Sequence, residues 1–272
     1  MKKSLSIFFP VYNDWATIGS LVAQAITTAE KLTDDYEIIL VNDGSKQMTV
    51  EVLNHLEKTY DKVRVVHHEK NRGYGGALRT GFKECKKDLI FYTDGDAQYD
   101  VTELTKLYER MNGKVDIVNG WKIKRSDPFY RVVIGKFYHY FTKWLFGFKI
   151  RDVDCDFRLM KREIFDHIEL ESDSGLICVE MIKKMTDAGY VFDEVGVTHH
   201  FRPSGKSQFF NFKRIFRVGV DMMKLWWKIQ VKKQHARREK KSQKVEATSA
   251  PLIDESDHSP NALPDPAARM RA

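Results

Sequence analysis

The sequence has few cysteines and no long hydrophobic run, and each shortage excludes a class of protein. It contains 3 cysteines among 272 residues, without a CxxC pair. An odd count without paired spacing argues against a disulfide framework or a zinc site and favours a reducing compartment. The longest stretch without Asp, Glu, Lys or Arg is residues 15–29, which is shorter than the roughly 18 mostly apolar residues of a membrane span. We therefore expect no transmembrane helix.

The first ten residues lack the marks of a secretory signal. They carry two lysines and a short apolar stretch, without a long apolar region or a small-residue cleavage site. We expect the first strand of the fold there. The net charge of +7 favours anionic partners such as nucleotides, phospholipid surfaces or nucleic acid. Because no nucleic-acid-binding motif is recognised, we expect no nucleic-acid partner.

Apolar segments typical of strands alternate with segments of helical spacing through the first half of the chain. We expect strands over residues 5–9, 36–41, 63–67, 88–93 and 116–119, and helices over 18–32, 50–60, 76–84 and 102–111. This rhythm predicts an α/β fold with a mostly parallel central sheet flanked by helices. Further helices are expected over 172–188 and 209–233. After about residue 240 the chain is rich in Ser, Pro, Ala and charge, which predicts disorder.

Two carboxylates directly follow the most strand-like segment of the chain. Residues 89–93 are apolar or β-branched and run into Asp94 and Asp96. Open α/β sheets place ligand sites at the carboxyl ends of their strands, and neighbouring acids repel each other without a cation. Oxygen ligands suit Mg²⁺ or Mn²⁺, which keep substrate phosphates as further ligands. The pair predicts a metal–diphosphate site, and the alternative is a pair of turn or helix-cap residues.

Three further polar segments stand where strand-to-helix turns are expected. They are residues 9–14 (FPVYND), 41–45 (VNDGS) and 71–78 (NRGYGGAL). Because each follows a predicted strand, a parallel sheet brings them to the same edge as the acid pair. The glycines let the backbone approach a ligand, although a plain helix entry is the alternative.

A second group of acids lies in the second half of the chain. Asp152, Asp154 and Asp156 alternate along the sequence and would share one face of a strand. Such a cluster is costly unless nearby cations or solvent offset it. The alternative is an ordinary solvated face.

The segment 209–233 combines a basic face with aromatic residues. Its polar side is formed by residues three or four apart, namely Arg217, Asp221, Lys224, Lys228 and Lys232. A basic amphipathic helix with tryptophans can lie in a bilayer interface. The alternative is a helix packed on its own core with solvated lysines.

Taken together, these motifs resemble those of the family-2 glycosyltransferases, and most of all the dolichol- and polyprenol-phosphate sugar synthases. The resemblance covers roughly residues 4–210. It implies the GT-A fold, the α/β fold of nucleotide-diphospho-sugar transferases. The domain organisation that follows is a catalytic domain over 1–208, a basic amphipathic helix over 209–240 and a disordered tail over 241–272.

The resemblance also assigns roles to individual residues of this chain. Nucleotide-sugar binding falls to Pro10, Tyr12, Asn13, Asp43, Gly73, Asp94 and Asp96, and a Mg²⁺ or Mn²⁺ ion to Asp94, Asp96 and Gln98. The first candidate for catalysis is Asp156, which precedes a Phe-Arg pair, and the second is Asp154. Acceptor phosphate or diphosphate contacts fall to Arg125, Arg131, Arg158, Arg202 and Lys206. The family more often has arginine where Lys122 stands, and lysine cannot grip a phosphate bidentately.

The activity implied is metal-dependent, inverting transfer of a sugar from a nucleotide-sugar to an undecaprenyl or dolichyl phosphate. A phosphate acceptor is already anionic, so it needs cations more than a general base. Many relatives carry C-terminal membrane spans, whereas none is expected in this sequence. We therefore expect peripheral contact with the cytoplasmic membrane face, with a membrane-anchored partner subunit left open. Two alternatives remain: a transferase with a saccharide acceptor in glycan synthesis, and a non-catalytic nucleotide-sugar-binding protein. The sequence does not name the sugar, the nucleotide, the polyprenol or the oligomeric state.

Overall fold

The computed structural model describes residues 2–123, 129–202 and 212–231, and for 129–134, 136–137 and 212–217 it describes the backbone alone. These residues belong to one unit, Met1–Ala236. The strands are β1 (Leu5–Val11), β2 (Tyr36–Asn42), β3 (Val63–His67), β4 (Leu89–Thr93), β5 (Ile117–Lys122), β6 (Phe157–Lys161) and β7 (Phe192–Val197). The helices are α1 (Ile18–Leu32), α2 (Gln47–Thr59), α3 (Gly73–Glu84), α4 (Leu104–Arg110), α5 (Phe129–Phe146), α6 (Ile164–His167), α7 (Ile177–Asp187) and α8 (Phe212–Trp226). A 3₁₀ turn, Val101–Glu103, precedes α4, and a π turn, Trp227–Val231, follows α8.

The described strands form one sheet in the order β3-β2-β1-β4-β6-β5-β7. Strand β6 runs antiparallel to β4 and β5, while the other neighbouring strands are parallel. The prediction of an α/β fold with a mostly parallel sheet is therefore confirmed.

Strand β1 shows how the sheet is covered on both faces, because all of its residues are buried. Leu5, Ile7 and Phe9 pack in a core with residues of α1, α2 and α4, whereas Phe8 packs in a second core with residues of α3 and α7. Successive strand side chains point to opposite faces, so β1 supplies both cores. This two-sided burial explains why a central parallel strand has an almost continuous apolar sequence.

A third core joins the C-terminal helix to the rest of the unit. Met222 and Leu225 of α8 and Ile229 of the following turn are buried against Val179 and Ile182 of α7. None of the described helices is long and apolar enough to cross a membrane. The predicted tail over 241–272 lies outside the described residues.

Two helices begin about one turn earlier than their hydrophobic spacing predicts. Helix α2 begins at Gln47 and α3 at Gly73, against predicted starts at residues 50 and 76. The first turns read QMT in α2 and GYG in α3, and a single apolar or aromatic residue in each is too little to show helical periodicity. Helix boundaries are therefore placed late when apolar spacing is the only guide.

The predicted strand through the second acid group is wrong. Residues 152–156 form turns and irregular backbone, and β6 begins only at Phe157. On a strand, Asp152, Asp154 and Asp156 would be held side by side on one face, which like-charge repulsion disfavours. The turns let each carboxylate face different partners.

Candidate active site

The turns after β1, β2 and β4 are tied together at one edge of the sheet. The backbone N–H of Asn13 donates to Ser45 Oγ at 3.1 Å, and the N–H of Lys46 donates to Asn13 Oδ1 at 2.9 Å. Thr17 Oγ1 donates to the carbonyl oxygen of Gly95 at 2.6 Å. The three turns therefore meet, as their positions after parallel strands predict.

In the first turn, the structure gives Asn13 a local structural role. Its φ of 63° lies in the left-handed region, which Asn tolerates better than most residues. Its side chain is occupied by the second turn, through the bond from Lys46. Tyr12 is 41% exposed and Asn13 is only partly exposed, so Tyr12 offers the larger side-chain surface to a ligand.

The glycines at the start of α3 are required by close backbone packing. A Cβ at Gly73 would lie 2.5 Å from the carbonyl oxygen of Asp173, and a Cβ at Gly75 would lie 2.1 Å from that of Ser172. The N–H of Gly75 donates to the Asp173 carbonyl at 2.9 Å. This contact between two loops accounts for the glycines without a ligand, so the nucleotide role of Gly73 stays a prediction.

Asp43, in the second turn, is buried and held from two sides. Its Oδ1 accepts a hydrogen bond from the backbone N–H of Arg72 at 2.7 Å and lies 2.8 Å from His68 Nδ1. The other ring nitrogen of His68 lies 2.9 Å from Thr80 Oγ1. Asp43 therefore joins the second turn to the loop before α3.

Asp94 and Asp96, here called the β4 acid pair, lie at the end of β4 in a buried setting. Burial is the largest cause that raises the pKa of Asp94 well above its usual range, followed by repulsion from Asp156 and Asp96. Tyr74 Oη donates to Asp94 Oδ1 at 2.8 Å. Burial likewise raises the pKa of Asp96 and of Asp14, which lies in the first turn. The site thus concentrates carboxylates that favour an added cation.

A basic loop is fixed against the β4 acid pair. The N–H of His200 donates to the Gln98 carbonyl at 2.7 Å, and Gln98 Nε2 donates to the His200 carbonyl at 3.2 Å. Arg202 Nη2 lies 3.4 Å from both Asp14 Oδ1 and Asp96 Oδ2. Its Nε is buried and has no partner among the described residues. The guanidinium therefore bridges two turns, while its Nε has no hydrogen-bond acceptor among the described residues.

The chemistry of these side chains fits a hard divalent cation. Asp94, Asp96 and Gln98 offer oxygen donors, and two of these are repelling carboxylates. Within residues 2–123, 129–202 and 212–231, no group of three His, Cys, Asp or Glu residues is arranged to hold a metal ion. A Mg²⁺ or Mn²⁺ ion at the pair would therefore take most of its ligands from substrate phosphates and water.

The loop acids Asp152, Asp154 and Asp156 lie before β6 and beside Lys122. Lys122 Nζ donates to the Asp154 carbonyl oxygen at 2.7 Å and lies 3.7 Å from Asp152 Oδ2. Burial raises the pKa of Asp154 to about 6, and the charge of Lys122 opposes that shift. Lys122, at the position where the family more often has arginine, is thus engaged with the loop acids.

Asp156 contacts three other side chains at the carboxyl end of the sheet. Its Oδ1 lies 3.1 Å from Cys178 Sγ, 3.4 Å from Tyr92 Oη and 3.8 Å from Arg158 Nη1. Asp156 also contributes to the raised pKa of Asp94. Asp156 therefore lies near the β4 acid pair, with one carboxylate oxygen oriented by neighbours from β4, β6 and α7.

Arg158 differs from the expectation that it contacts acceptor or diphosphate. It is fully buried, its Nε donates to Asn119 Oδ1 at 2.6 Å, and its Nη1 and Nη2 donate to Tyr92 Oη and the Val153 carbonyl. All three guanidinium nitrogens are used within the fold. Because the side chain is fully buried and lies 3.8 Å from Asp156 Oδ1, the structure favours a supporting role beside Asp156 over contact with a substrate phosphate.

The side chains of the three other predicted phosphate contacts are not described by the structure. Arg125 and Lys206 lie outside the described residues, and Arg131 is described by its backbone in α5 alone. Their assigned roles stay predictions. Arg202 is the predicted phosphate contact that the described structure brings to the β4 acid pair.

Several residues of the site had no assigned role from the sequence. They are Asp14, His68, Tyr74, Tyr92 and Cys178. Asp14 follows the motif residue Asn13 directly, so its position was a usable signal. The other four become part of the site through contacts with residues at least 20 positions away in the chain.

Solved structures share this α/β sheet arrangement, and at low sequence identity the likeness concerns the fold. The chain is similar to glucosyl-3-phosphoglycerate synthase from Mycobacterium tuberculosis crystallised with phosphoglyceric acid, with a TM-score of 0.62 and 15% identity over 83% of this chain and 79% of that chain. The same enzyme with Mn²⁺, UDP-glucose and phosphoglyceric acid gives a TM-score of 0.63 at 14% identity, with the same shares covered. This likeness shows the GT-A fold.

The family follows from the sequence match. The profile of the family described as Glycosyl transferase family 2 matches residues 6–169. The chain belongs to this family, as the motifs predict.

Two curated relatives add detail at modest identity. The chain is 28% identical over 243 residues to glycosyltransferase AglD of Haloferax volcanii, covering 86% of this chain and 39% of the relative. It is 25% identical over 222 residues to dodecaprenyl-phosphate galacturonate synthase of Rhizobium johnstonii, covering 80% of this chain and 65% of the relative. The chain therefore spans less than two thirds of the length of either relative.

Proposed function

We propose that this protein transfers a sugar from a nucleotide-sugar to a polyprenyl phosphate, with inversion at the anomeric carbon and release of the nucleoside diphosphate. The observation that carries the proposal is the burial of two neighbouring carboxylates, Asp94 and Asp96, near Asp156, a setting in which a bound cation would offset their repulsion. The name of the Rhizobium relative, a dodecaprenyl-phosphate galacturonate synthase, supports the acceptor class.

Asp94, Asp96 and Gln98 would hold Mg²⁺ or Mn²⁺. The bound ion would neutralise the charge that develops on the leaving diphosphate. Crystals of structural neighbours that contain Mn²⁺ or Mg²⁺ together with UDP support a divalent ion in this fold. The buried Nε of Arg202, which has no partner among the described residues, supports a role for this residue in binding the same diphosphate.

The acceptor determines what Asp156 must do. A phosphate oxygen is already anionic near neutral pH, so it attacks without first losing a proton. Asp156 is held by Tyr92, Cys178 and Arg158, which suits a residue that orients sugar or acceptor. Cations must then bring two anionic substrates together, and Arg125, Arg131, Arg202 and Lys206 are our candidates.

The direct test is an acceptor comparison. Radiolabelled nucleotide-sugars are incubated with the protein, Mg²⁺ or Mn²⁺, and polyprenyl phosphate, and lipid-linked product is extracted. Unphosphorylated polyprenol and a soluble oligosaccharide are the parallel acceptors. We expect product with polyprenyl phosphate alone, and none in EDTA. Product on the oligosaccharide instead would assign the protein to glycan elongation, and the absence of turnover with every donor would favour a binding protein.

Peripheral membrane contact is part of this proposal, and the exposed aromatic residues of α5 and α8 support it. The helices touch, since Thr142 Oγ1 lies 3.6 Å from Met222 Sδ. Trp144 of α5 is 77% exposed and Trp227 after α8 is 54% exposed. Tryptophan is favoured at the interface between water and acyl chains. The burial of Met222 means that one face of α8 packs on the fold while another remains exposed.

Vesicle binding tests this contact. Reversing Lys224 and Lys228 to Glu should weaken binding to anionic vesicles by about 1 kcal/mol per residue near the surface, and the loss should shrink with salt. The same reversal at Lys31 and Lys58, exposed lysines on α1 and α2, is the control and should change binding little. If the wild type ignores anionic vesicles at low salt, the membrane part of the proposal is wrong.

A further inference from the structure

A buried histidine lies behind the carboxylate assigned to the nucleotide. The side chains of His68 and Asp43 are 3% and 5% exposed, with His68 Nδ1 2.8 Å from Asp43 Oδ1. His68 directly follows β3, while Asp43 directly follows β2. The contact therefore crosses between neighbouring parallel strands at the edge of the sheet where the candidate site lies.

The chemistry of the two side chains determines which of them donates the hydrogen bond. A carboxylate only accepts, so His68 Nδ1 carries the proton and donates to Asp43 Oδ1. On the other side of the ring, Nε2 lies 2.9 Å from Thr80 Oγ1, which is itself 3.1 Å from the Gly76 carbonyl oxygen in α3. The ring is thus anchored to the first turns of α3, and its orientation does not depend on a ligand.

The two carboxylate oxygens of Asp43 differ in their hydrogen-bond partners. Oδ1 accepts from His68 and from the backbone N–H of Arg72 at 2.7 Å. Oδ2 accepts from no described residue, and it is not among the fully buried atoms that lack a partner. The carboxylate is therefore held through one oxygen while the second is left for a donor group from outside the fold.

We propose that His68 is a positioning residue for the donor nucleotide, because it holds Asp43 so that Oδ2 faces a base N–H or a ribose hydroxyl. This inference rests on the proposed function, in which Asp43 binds the nucleotide. It adds a residue outside the recognised motifs and explains why a polar ring is buried behind the second turn. Without the Nδ1–H, the carboxylate can rotate and a buried anion loses one of its two donors.

Three variants separate positioning from simple packing. His68→Leu removes both ring hydrogen bonds, while His68→Asn places an amide N–H near the position of Nδ1. Thr80→Val removes only the anchor of Nε2. His67→Leu is the matched control, because His67 is the preceding residue, is exposed, and contacts Asn42 and Asn54 instead.

Calorimetry with UDP and with GDP, each with Mg²⁺, measures the effect on the nucleotide site directly. For whichever nucleotide binds the wild type, we expect His68→Leu to raise Kd about tenfold, a loss typical of a hydrogen bond to a charged group. His68→Asn should stay within about threefold of the wild type, Thr80→Val should fall between the two, and His67→Leu should match the wild type. In turnover assays, His68→Leu should raise the donor KM with little change in kcat.

Nucleotide binding by the wild type distinguishes a failure of the positioning role from a failure of the proposed function. If the wild type binds neither nucleotide, the donor assignment itself fails. If the wild type binds and His68→Leu binds equally well, or if His68→Asn is as weak as His68→Leu, the positioning role is overturned. Should His68→Leu not fold, the ranking of wild type, His68→Asn and Thr80→Val decides, and equal Kd values for all three overturn the proposal.

Discussion

The candidate site contains two groups of acids, and the fold treats them differently. The loop acids have cations built in beside them. Lys122 Nζ is 3.7 Å from Asp152 Oδ2, and the buried guanidinium of Arg158 is 3.8 Å from Asp156 Oδ1. These cations lie on β5 and β6, next to the loop that carries the acids.

The β4 acid pair has no such internal cation among the described residues. Its one described ion pair is with Arg202, at 3.4 Å from Asp96 Oδ2, and Arg202 belongs to a separate loop and also pairs with Asp14. Asp94 receives a hydrogen bond from Tyr74, which is neutral. The loop acids are therefore compensated by cations of neighbouring strands, whereas the β4 acid pair has the weaker internal compensation, which fits the cation site that we propose there.

The largest effect should come from removing a built-in cation. Arg158→Met should destabilise the protein by about 3–5 kcal/mol, because it removes the donor to Tyr92 and leaves Asp156 without its buried counter-charge. Urea unfolding measures this. Lys161→Met on the same strand is the control, since the Lys161 and Asp116 side chains are 18% and 19% exposed, against 0% for Arg158, so the change should cost less, about 1–2 kcal/mol. Equal costs for the two variants would contradict a built-in charge pair.

Removing the proposed cation site should have a comparably large effect, but on turnover and not on stability. Asp96→Ala should lower kcat on the order of 100- to 1,000-fold, as for the loss of other electrostatic stabilisation of a transition state. EDTA should do the same to the wild type, and Mg²⁺ or Mn²⁺ should restore it. Asp100→Asn is the control, because Asp100 caps the 3₁₀ turn and Asn caps as well. Full activity of Asp96→Ala would remove the metal assignment.

Asp156→Asn tests whether the loop acids also contribute to turnover. We expect it to keep donor binding and to lower single-turnover rates about 100-fold, because an amide retains the shape but not the charge that orients the reacting groups. Donor affinity is measured by calorimetry and turnover by rapid quench. Asp152→Asn, whose carboxylate faces Lys122, should change the rate much less. Near-normal turnover of Asp156→Asn would move the role to Asp154.

The smallest effect concerns pH. The pKa of Asp154 is raised from 3.8 to about 6 by burial, so the folded protein binds a proton more tightly than the unfolded chain. Stability from this group is therefore present below about pH 4 and is lost as pH rises through 6, by about 2–3 kcal/mol. Asp154→Asn should remove this pH dependence and be more stable than the wild type at pH 8. An unchanged pH profile of unfolding would contradict the assignment.

Much of the site was predictable because its residues follow strands. The turns that contain Asn13, Asp43 and Asp94 were expected at one edge of the sheet, and hydrogen bonds between the turns confirm this for the turns after β1, β2 and β4. Local periodicity identifies a strand, and parallel topology then places its carboxyl end. No distant contact has to be known for either step.

The roles of particular side chains were less predictable, for a physical reason. Arg158 resembles a phosphate ligand in sequence, yet it is fully buried against Tyr92 and Asn119. The glycines of α3 resemble a ligand loop, yet they accommodate the backbone at Ser172 and Asp173. In both cases the partner lies far away in the chain, and a pattern of neighbours in sequence contains no information about it.

The sequence by itself therefore determined the α/β class, the edge of the sheet where the site lies and the family to which the chain belongs, because these depend on periodicity and on short motifs. The tertiary structure alone decided how each charge is compensated. Lys122 turns to the loop acids, Arg158 supports Asp156, and Arg202 reaches the β4 acid pair. Electrostatic energy depends on the distance and burial of charged groups, and both are set only when separate segments pack together.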